Sequence, residues 1–195
     1  KPENIICMAV NYMEDGTRTE PAPINAFHKS PNAVIGPKET MVLPDVPATI
    51  FEGEAEVAVV IGKRAKDVKA ADAMSHVFGY VNFVDGSARG LPPPGNVFYQ
   101  MKSRDTFAPL GPYIVTADEI GNPAGLSFEL LVNGEVRQSA NTCDLVIDTP
   151  GLIEFASKFY TLEPGDVLLT GTPEGVAPVK PGDRIQATID KIGTM

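Results

Sequence analysis

Glu-Val-Ala-Val-Val-Ile-Gly, residues 56–62, is the stretch that decides the fold class. Most of it is β-branched and it stops at a glycine, so it reads as a buried β-strand. The segments on either side read the same way. Residues 77–85 form a second strand candidate, followed by loop chemistry over 86–95, and residues 4–11, Asn-Ile-Ile-Cys-Met-Ala-Val-Asn, form another. Residues 127–138 read as a hairpin about Asn133-Gly134, because Asn-Gly favours the type I′ turn that matches strand twist. Helical signals are few. Residues 70–76 predict a short helix. Thr149-Pro150 predicts an N-cap with proline at the first helical position, and Leu152, Phe155, Ala156, Phe159 and Tyr160 follow at helical spacing.

The intervening segments are turn chemistry. Residues 13–25 are polar, carry Gly16, Pro21 and Pro23, and read as a loop or lid; residues 33–43 hold short apolar pieces broken by Gly36 and Pro37. Pro164-Gly165-Asp166 and Pro181-Gly182-Asp183 are turns that each lead into a strand. With 18 glycines and 18 prolines in 195 residues, β structure is favoured over a helical bundle. The expected fold is mostly β (α+β), one large rolled mixed sheet with few short helices rather than a βαβ repeat. One domain is expected over residues 1–195, with Lys1 and Met195 reading as the ends of a piece of a slightly longer chain.

The net charge of −9 speaks against nucleic acid as a partner. A small anion stays possible, because a metal ion or local lysines and arginines can override the global field. Cys7 and Cys143 are too few and too isolated for a disulfide framework and read as thiols in a reducing cytoplasm. No apolar stretch is long enough to span a bilayer, and no basic start followed by an apolar stretch marks a signal peptide.

Glu54-Ala-Glu56 sits where the deciding strand begins. Residues i and i+2 of a strand project from one face, so both carboxylates can converge on one point. Such oxygens suit a hard divalent cation. Asp85, at the end of the second strand, would add a third carboxylate and leave positions open for water and substrate. A lone Glu-x-Glu is ordinarily a solvated strand edge; the surrounding sequence changes that reading. Lys102-Ser-Arg104-Asp105 opens a stretch closed by prolines and glycine at residue 112, and residues 167–175 run as a strand into the Gly-rich turn Thr-Gly171-Thr172-Pro173-Glu-Gly175. Such a turn offers backbone N–H groups and a hydroxyl to an anion, without the spacing of a phosphate P-loop.

With these segments in order along nearly the whole chain, the sequence resembles the fumarylacetoacetate hydrolase family. The segments are Asn11-Tyr12, Phe27-His28-Lys29-Ser30-Pro31, residues 54–63, residues 79–89, residues 102–112, Val132-Asn133-Gly134-Glu135 and residues 162–173. The resemblance implies a mostly β fold and a Mg²⁺, Mn²⁺ or Ca²⁺ site formed by Glu54, Glu56 and Asp85. It places the family lysine at Lys102 and the substrate-facing turn at Gly171 and Thr172, with Arg89 a further substrate contact. It also implies a cytoplasmic homodimer acting on a small anionic 2-oxo or diketo acid.

One departure bears on the reaction. Many members follow Asn-Tyr with a histidine and a glutamate that activate water; here Asp15 stands in the histidine position and Arg18 in the glutamate position. Asp15 and Glu14 are then the candidate bases, if desolvation raises their pKa. His28, beside Lys29, is a weaker candidate, and His76, at a helix end, weaker still. The leading expectation is hydrolysis of a carbon–carbon bond in an acylpyruvate or fumarylacetoacetate type of substrate. The alternatives are isomerisation or decarboxylation of an unsaturated, hydroxymuconate-type 2-oxo dicarboxylate of aromatic catabolism, and a metal-binding homologue without catalysis.

Overall fold

The strand expected over 56–62 begins earlier: β4 runs over Ile50–Ile61. Its partner β5 runs over Val77–Arg89, past the expected end at 85. The two pair antiparallel from Ile50 opposite Arg89 to Val60 opposite Gly79. This ladder carries both strands beyond their apolar stretches, and the ion pair of Arg89 with Glu52 (2.7 Å) secures its polar end. Glu54, Glu56 and Asp85 therefore lie within strands, not at the ends where the sequence places them. The computed structural model describes residues 1–13, 19–95 and 98–195.

Around β4 and β5 a large mixed sheet is built. Its further strands are β1 (Ile5–Ala9), β2 (Asn25–Lys29), β3 (Val34–Ile35), β6 (Ala108–Thr116), β9 (Val167–Leu169) and β10 (Ala177–Val179). The order is β2-β1-β9-β4-β5-β6-β3, with β10 also paired to β4. The β1–β9 and β3–β6 pairs are parallel and the others antiparallel. A second sheet, of four strands in the order β12-β11-β7-β8, is formed by β7 (Ser127–Val132), β8 (Glu135–Asn141), β11 (Ile185–Ile189) and β12 (Gly193–Thr194). The expected hairpin joins β7 to β8. Asn133 and Gly134 both have positive φ, 53° and 84°, as a type I′ turn requires.

Alternation along β4 separates two environments. Ala55, Val57, Val59 and Ile61 enter the larger core, closed by Phe128, Leu130, Ala187 and Ile189 of the second sheet. Ala58 and Val60 face the other way, into a smaller core with Ile5, Cys7, Val81 and Phe83. Glu54 and Glu56 share that second face. Each fully buried aliphatic side chain contributes about 1.5–3 kcal/mol. A one-residue slip would move Val57, Val59 and Ile61 out of the larger core at once, so hydrophobic burial helps hold the carboxylates in register.

Helices are short, as expected. The 70–76 segment splits into α1 (Ala70–Ala73) and a 3-10 turn over Met74–His76. α2 spans Phe98–Lys102 and α3 spans Ala117–Ile120. The longest is α4, Thr149–Phe159. Its cap is Asp148, whose carboxylate accepts from Gly151 N–H at 3.0 Å, so Thr149 is the first helical residue and not the cap. The buried face of α4 is Leu152, Ile153, Ala156 and Ser157, while Phe159 is exposed. No described helix is long and apolar enough to cross a membrane.

Candidate active site

Glu54 and Asp85 are direct cross-strand partners on β4 and β5, and Glu56 lies two residues along on the same face. One oxygen from each of Glu54, Glu56 and Asp85 lies within 4.8 Å of the others, and all three residues are buried. Burial, joined by the negative charge of its two neighbours, pushes the Glu56 carboxyl well above the usual carboxylate range. Burial also raises Glu54, against the opposing pull of Lys102. At Asp85 burial works upward too, but Lys102 and Lys29 outweigh it and hold the carboxyl below its ordinary value. The cluster therefore holds carboxylates that the protein's own charges leave incompletely balanced.

Two buried lysines meet the cluster. Lys102, the last residue of α2, donates to Glu54 Oε2 at 2.7 Å and to Asp85 Oδ2 at 2.8 Å. These two anions overcome the effect of burial and raise its pKa, so it is a permanent cation. Lys29, at the end of β2, donates to Asp85 Oδ1, to the Gly86 carbonyl at 3.0 Å and to the Lys102 carbonyl at 2.6 Å. Each proton of that ammonium has an acceptor, which is the condition under which a lysine can be buried. Arg89 closes the rim, donating to Glu52 at 2.7 Å and to Glu54 Oε1 at 2.5 Å, and Ser87 donates to the same Glu54 oxygen at 3.2 Å.

The cluster floors a cavity of about 400 Å³, lined also by Met8, Tyr12, Phe27, Phe98 and Thr172. The turn after β9 brings Gly171 to the cluster, where its N–H donates to Glu56 Oε2 at 2.6 Å. Gly171 has φ of 103°, and a Cβ there would meet Asn11 Cβ at 2.8 Å, so both the conformation and the close approach require glycine. Asn11 is itself a bracket: its side chain binds the Ile147 N–H and carbonyl and the Thr170 carbonyl, at 2.8–2.9 Å. Beside it the Tyr12 hydroxyl is buried without a hydrogen-bond partner among the described residues, on the cavity wall.

Of the residues singled out from sequence, the structure thus brings together Glu54, Glu56, Asp85, Lys102, Arg89, Gly171 and Thr172. Glu14 and Asp15 lie outside the described residues. His28 is exposed on the outer side of β2, its ring 5.5 Å from that of Tyr160, and His76 sits against the Lys63 carbonyl at 3.3 Å. Strand alternation explains the contrast within β2: Phe27 and Lys29 turn inward, His28 outward. Lys29 and Ser87 were not singled out. Lys29 leaves no local signal of its burial; Ser87 could have been found from its place two residues after Asp85 on the same strand face.

An oxygen-only set of three buried carboxylates, two of them raised by burial, fits a hard divalent cation, and the two lysines and Arg89 fit an anionic ligand beside it. A rolled mixed sheet bears this centre at the floor of a cavity. The chain belongs to the fumarylacetoacetate hydrolase family: the family described as Fumarylacetoacetate (FAA) hydrolase C-terminal matches residues 4–195. It is similar to the mitochondrial oxaloacetate tautomerase FAHD2A of Bos taurus, 41% identical over 208 residues. That match covers 100% of this chain and 66% of the relative. Among solved structures it is similar to a 5-carboxymethyl-2-hydroxymuconate delta-isomerase from Mycobacterium smegmatis (TM-score 0.91, 38% identity, 100% of this chain and 77% of that one). It is also similar to maleylpyruvate hydrolase from Sphingobium sp. SYK-6 in complex with manganese(II) ion and pyruvate (TM-score 0.87, 44% identity, 100% and 69%).

Proposed function

We propose that this protein is a divalent-metal-dependent hydrolase of a small 2-oxo acid, cleaving a carbon–carbon bond of an acylpyruvate. The observation that carries the reading is the buried Glu54–Glu56–Asp85 cluster with Lys102 in contact with two of its members. Glu54, Glu56 and Asp85 would hold Mg²⁺ or Mn²⁺, and the bound ion would supply Lewis-acid stabilisation of an enolate oxygen. A relative of similar fold is a maleylpyruvate hydrolase holding manganese and pyruvate, which supports both the metal and the substrate class.

The chain's own groups divide the remaining work. Arg89 and Lys102 supply positive charge for the substrate carboxylate and the developing oxyanion in a site where burial strengthens each interaction. Thr172 adds a hydroxyl at the wall, and the rings of Phe27 and Phe98, stacked 4.7 Å apart, exclude water from one side. Asp15 or Glu14 would take the proton from the attacking water.

A second reading is tautomerisation, isomerisation or decarboxylation of a 2-oxo dicarboxylate. One observation favours it: among the described residues lining the cavity there is no imidazole, and these reactions need no activated water. Initial rates with acylpyruvates, oxaloacetate and hydroxymuconate-type dienes, with Mn²⁺ and with chelator, test both. Chelator-sensitive release of pyruvate from an acylpyruvate is expected; turnover of oxaloacetate or the dienes alone replaces hydrolysis by the second reading. A homodimer accords with the exposed Phe78, Tyr113 and Ile114 on neighbouring strands β5 and β6, and sedimentation would test it.

A further inference from the structure

Gln138 has no part in the chemistry above, yet it is one of the most completely bonded side chains in the molecule. It stands on β8 in the second sheet and is 1% exposed. Its Oε1 accepts the N–H of Ala55, the residue between Glu54 and Glu56, at 2.9 Å. Its Nε2 donates to Thr172 Oγ1 and to the Pro173 carbonyl, both at 2.9 Å. Chemistry fixes the orientation of this amide, because an N–H only donates and a carbonyl only accepts. Both Nε2 hydrogens are thereby used, and Thr172 Oγ1 receives one of them.

A hydroxyl that accepts on one side directs its own proton elsewhere. Among the described residues the acceptor for Thr172 is the Ala55 carbonyl at 3.3 Å, near the long end of hydrogen bonding. Thr172 also lines the cavity. A carboxylate entering there offers a charged acceptor, and charge-assisted bonds are about twice as strong as neutral ones. We propose that Gln138 is a positioning residue that fixes Thr172 as a hydrogen-bond donor to the carboxylate of an anionic substrate. It also ties that donor to the strand carrying Glu54 and Glu56. The inference rests on the reading of the cavity as a 2-oxo acid site.

The turn has anchors besides Gln138: the Gly171 N–H donates to Glu56 Oε2 at 2.6 Å and Thr170 Oγ1 to the Val57 carbonyl at 2.9 Å. Gly175 packs so closely on β8 that a Cβ there would meet the Arg137 carbonyl at 2.4 Å, and Gly171 is wedged against Asn11. Changing Gln138 therefore tests the hydrogen-bond direction and not the existence of the turn. Gln138→Glu keeps an acceptor for Ala55 N–H and nearly the same shape, but turns the atom facing Thr172 into an acceptor, so the Thr172 proton is drawn away from the cavity.

The experiment is calorimetric titration of oxalate into the Mn²⁺-loaded wild type, Gln138→Glu, Thr172→Val and the double variant. Gln138→Glu and Thr172→Val should each weaken oxalate by about tenfold or more, and the double variant should be no weaker than the worse single variant. Mn²⁺ affinity should stay within about threefold throughout. Losses that multiply in the double variant, as charge repulsion or a structural defect would produce, overturn the role of Gln138, as does wild-type oxalate affinity in Gln138→Glu. Gln138→Met, which carries no charge, runs the same cycle should the glutamate variant fail to fold. If Mn²⁺-loaded wild type does not take up oxalate, the substrate reading falls and this inference falls with it.

Discussion

Glu54 and Asp85 face each other directly across the β4–β5 ladder and share one lysine: Lys102 reaches Glu54 at 2.7 Å and Asp85 at 2.8 Å. The cation is delivered from a separate segment, α2, so the two carboxylates and their partner can be tested apart.

Lys102→Met should lower kcat of the metal-loaded protein by at least about 100-fold, the scale of losing one preorganised charge at an oxyanion. Asp85 keeps Lys29 as a partner in that variant. The folded state should therefore survive, which circular dichroism and a urea midpoint will read. Turnover within a few-fold of wild type would remove Lys102 from the chemistry.

Lys29→Met is expected to do the reverse. Its side chain is fully buried and serves Asp85 and two carbonyls, so its removal leaves a carboxylate short of a partner and both carbonyls without this donor. A loss of about 3–5 kcal/mol is expected from urea unfolding, the range for breaking one side of a buried ion pair. A midpoint near that of wild type would mean the three bonds contribute little.

Glu56→Gln should abolish metal binding and yet stabilise the metal-free protein at neutral pH. Because its folded pKa is raised by burial, the contribution of Glu56 is fully present below its unfolded pKa and is lost as pH rises through the raised value. In chelator, wild type should therefore weaken as pH climbs above the ordinary carboxylate range, and the variant should weaken less. Thermal melts across that window check the sign. A gain of about 2 °C or more at neutral pH is expected; unchanged Mn²⁺ affinity by calorimetry would falsify the ligand assignment.

How far the site could be read in advance depended on what kind of signal each residue leaves. Glu54 and Glu56 were legible because strand period is two and their spacing is two, and the valines that follow announce the strand. Their depth inside it was not, since β4 extends over Ile50–Ile61 only through pairing with a strand distant in sequence. The Asn133-Gly134 turn was legible because its residues encode a local dihedral requirement. Lys29 was not, because a buried lysine looks like a surface one until its three acceptors, 56 to 73 positions away, are known. On α4 the cap moved by one because Thr149 and Asp148 are both good caps, and Phe159 is exposed because the helix packs through Ile153 and Ser157.

Gly171→Ala should cost about 1–3 kcal/mol from its left-handed backbone, with a further loss from the Cβ pressed against Asn11. It should also weaken Mn²⁺ binding, since the Gly171 N–H holds Glu56. Gly121→Ala is the control: φ is positive there too, at 73°, but nothing lies within 4 Å of the added Cβ. The two variants should differ in both urea midpoint and metal affinity; equal effects would mean the contact with Asn11 is immaterial.

Asp15→Asn and Glu14→Gln test whether that segment supplies the base for hydrolysis. If a carboxylate of that segment activates water, one variant should lose acylpyruvate hydrolysis by about 100-fold or more while still taking up oxalate. Full hydrolysis in both would remove Asp15 and Glu14 as the group that activates water.

The pairing of β4 with β5 also limits how this protein can change over generations. Between residues 50 and 56 a single inserted or deleted codon that is not absorbed as a bulge shifts the downstream side chains to the opposite face, turning Glu56 away from Asp85 and Val57, Val59 and Ile61 out of the larger core together. The connection between these strands, residues 62–76, carries no cluster residue and can vary in length at far less cost. Inheritance of the reaction is thus tied to inheritance of strand length, and lineages that explore new substrates are expected to do so by lengthening or recasting loops around an unaltered pair of strands.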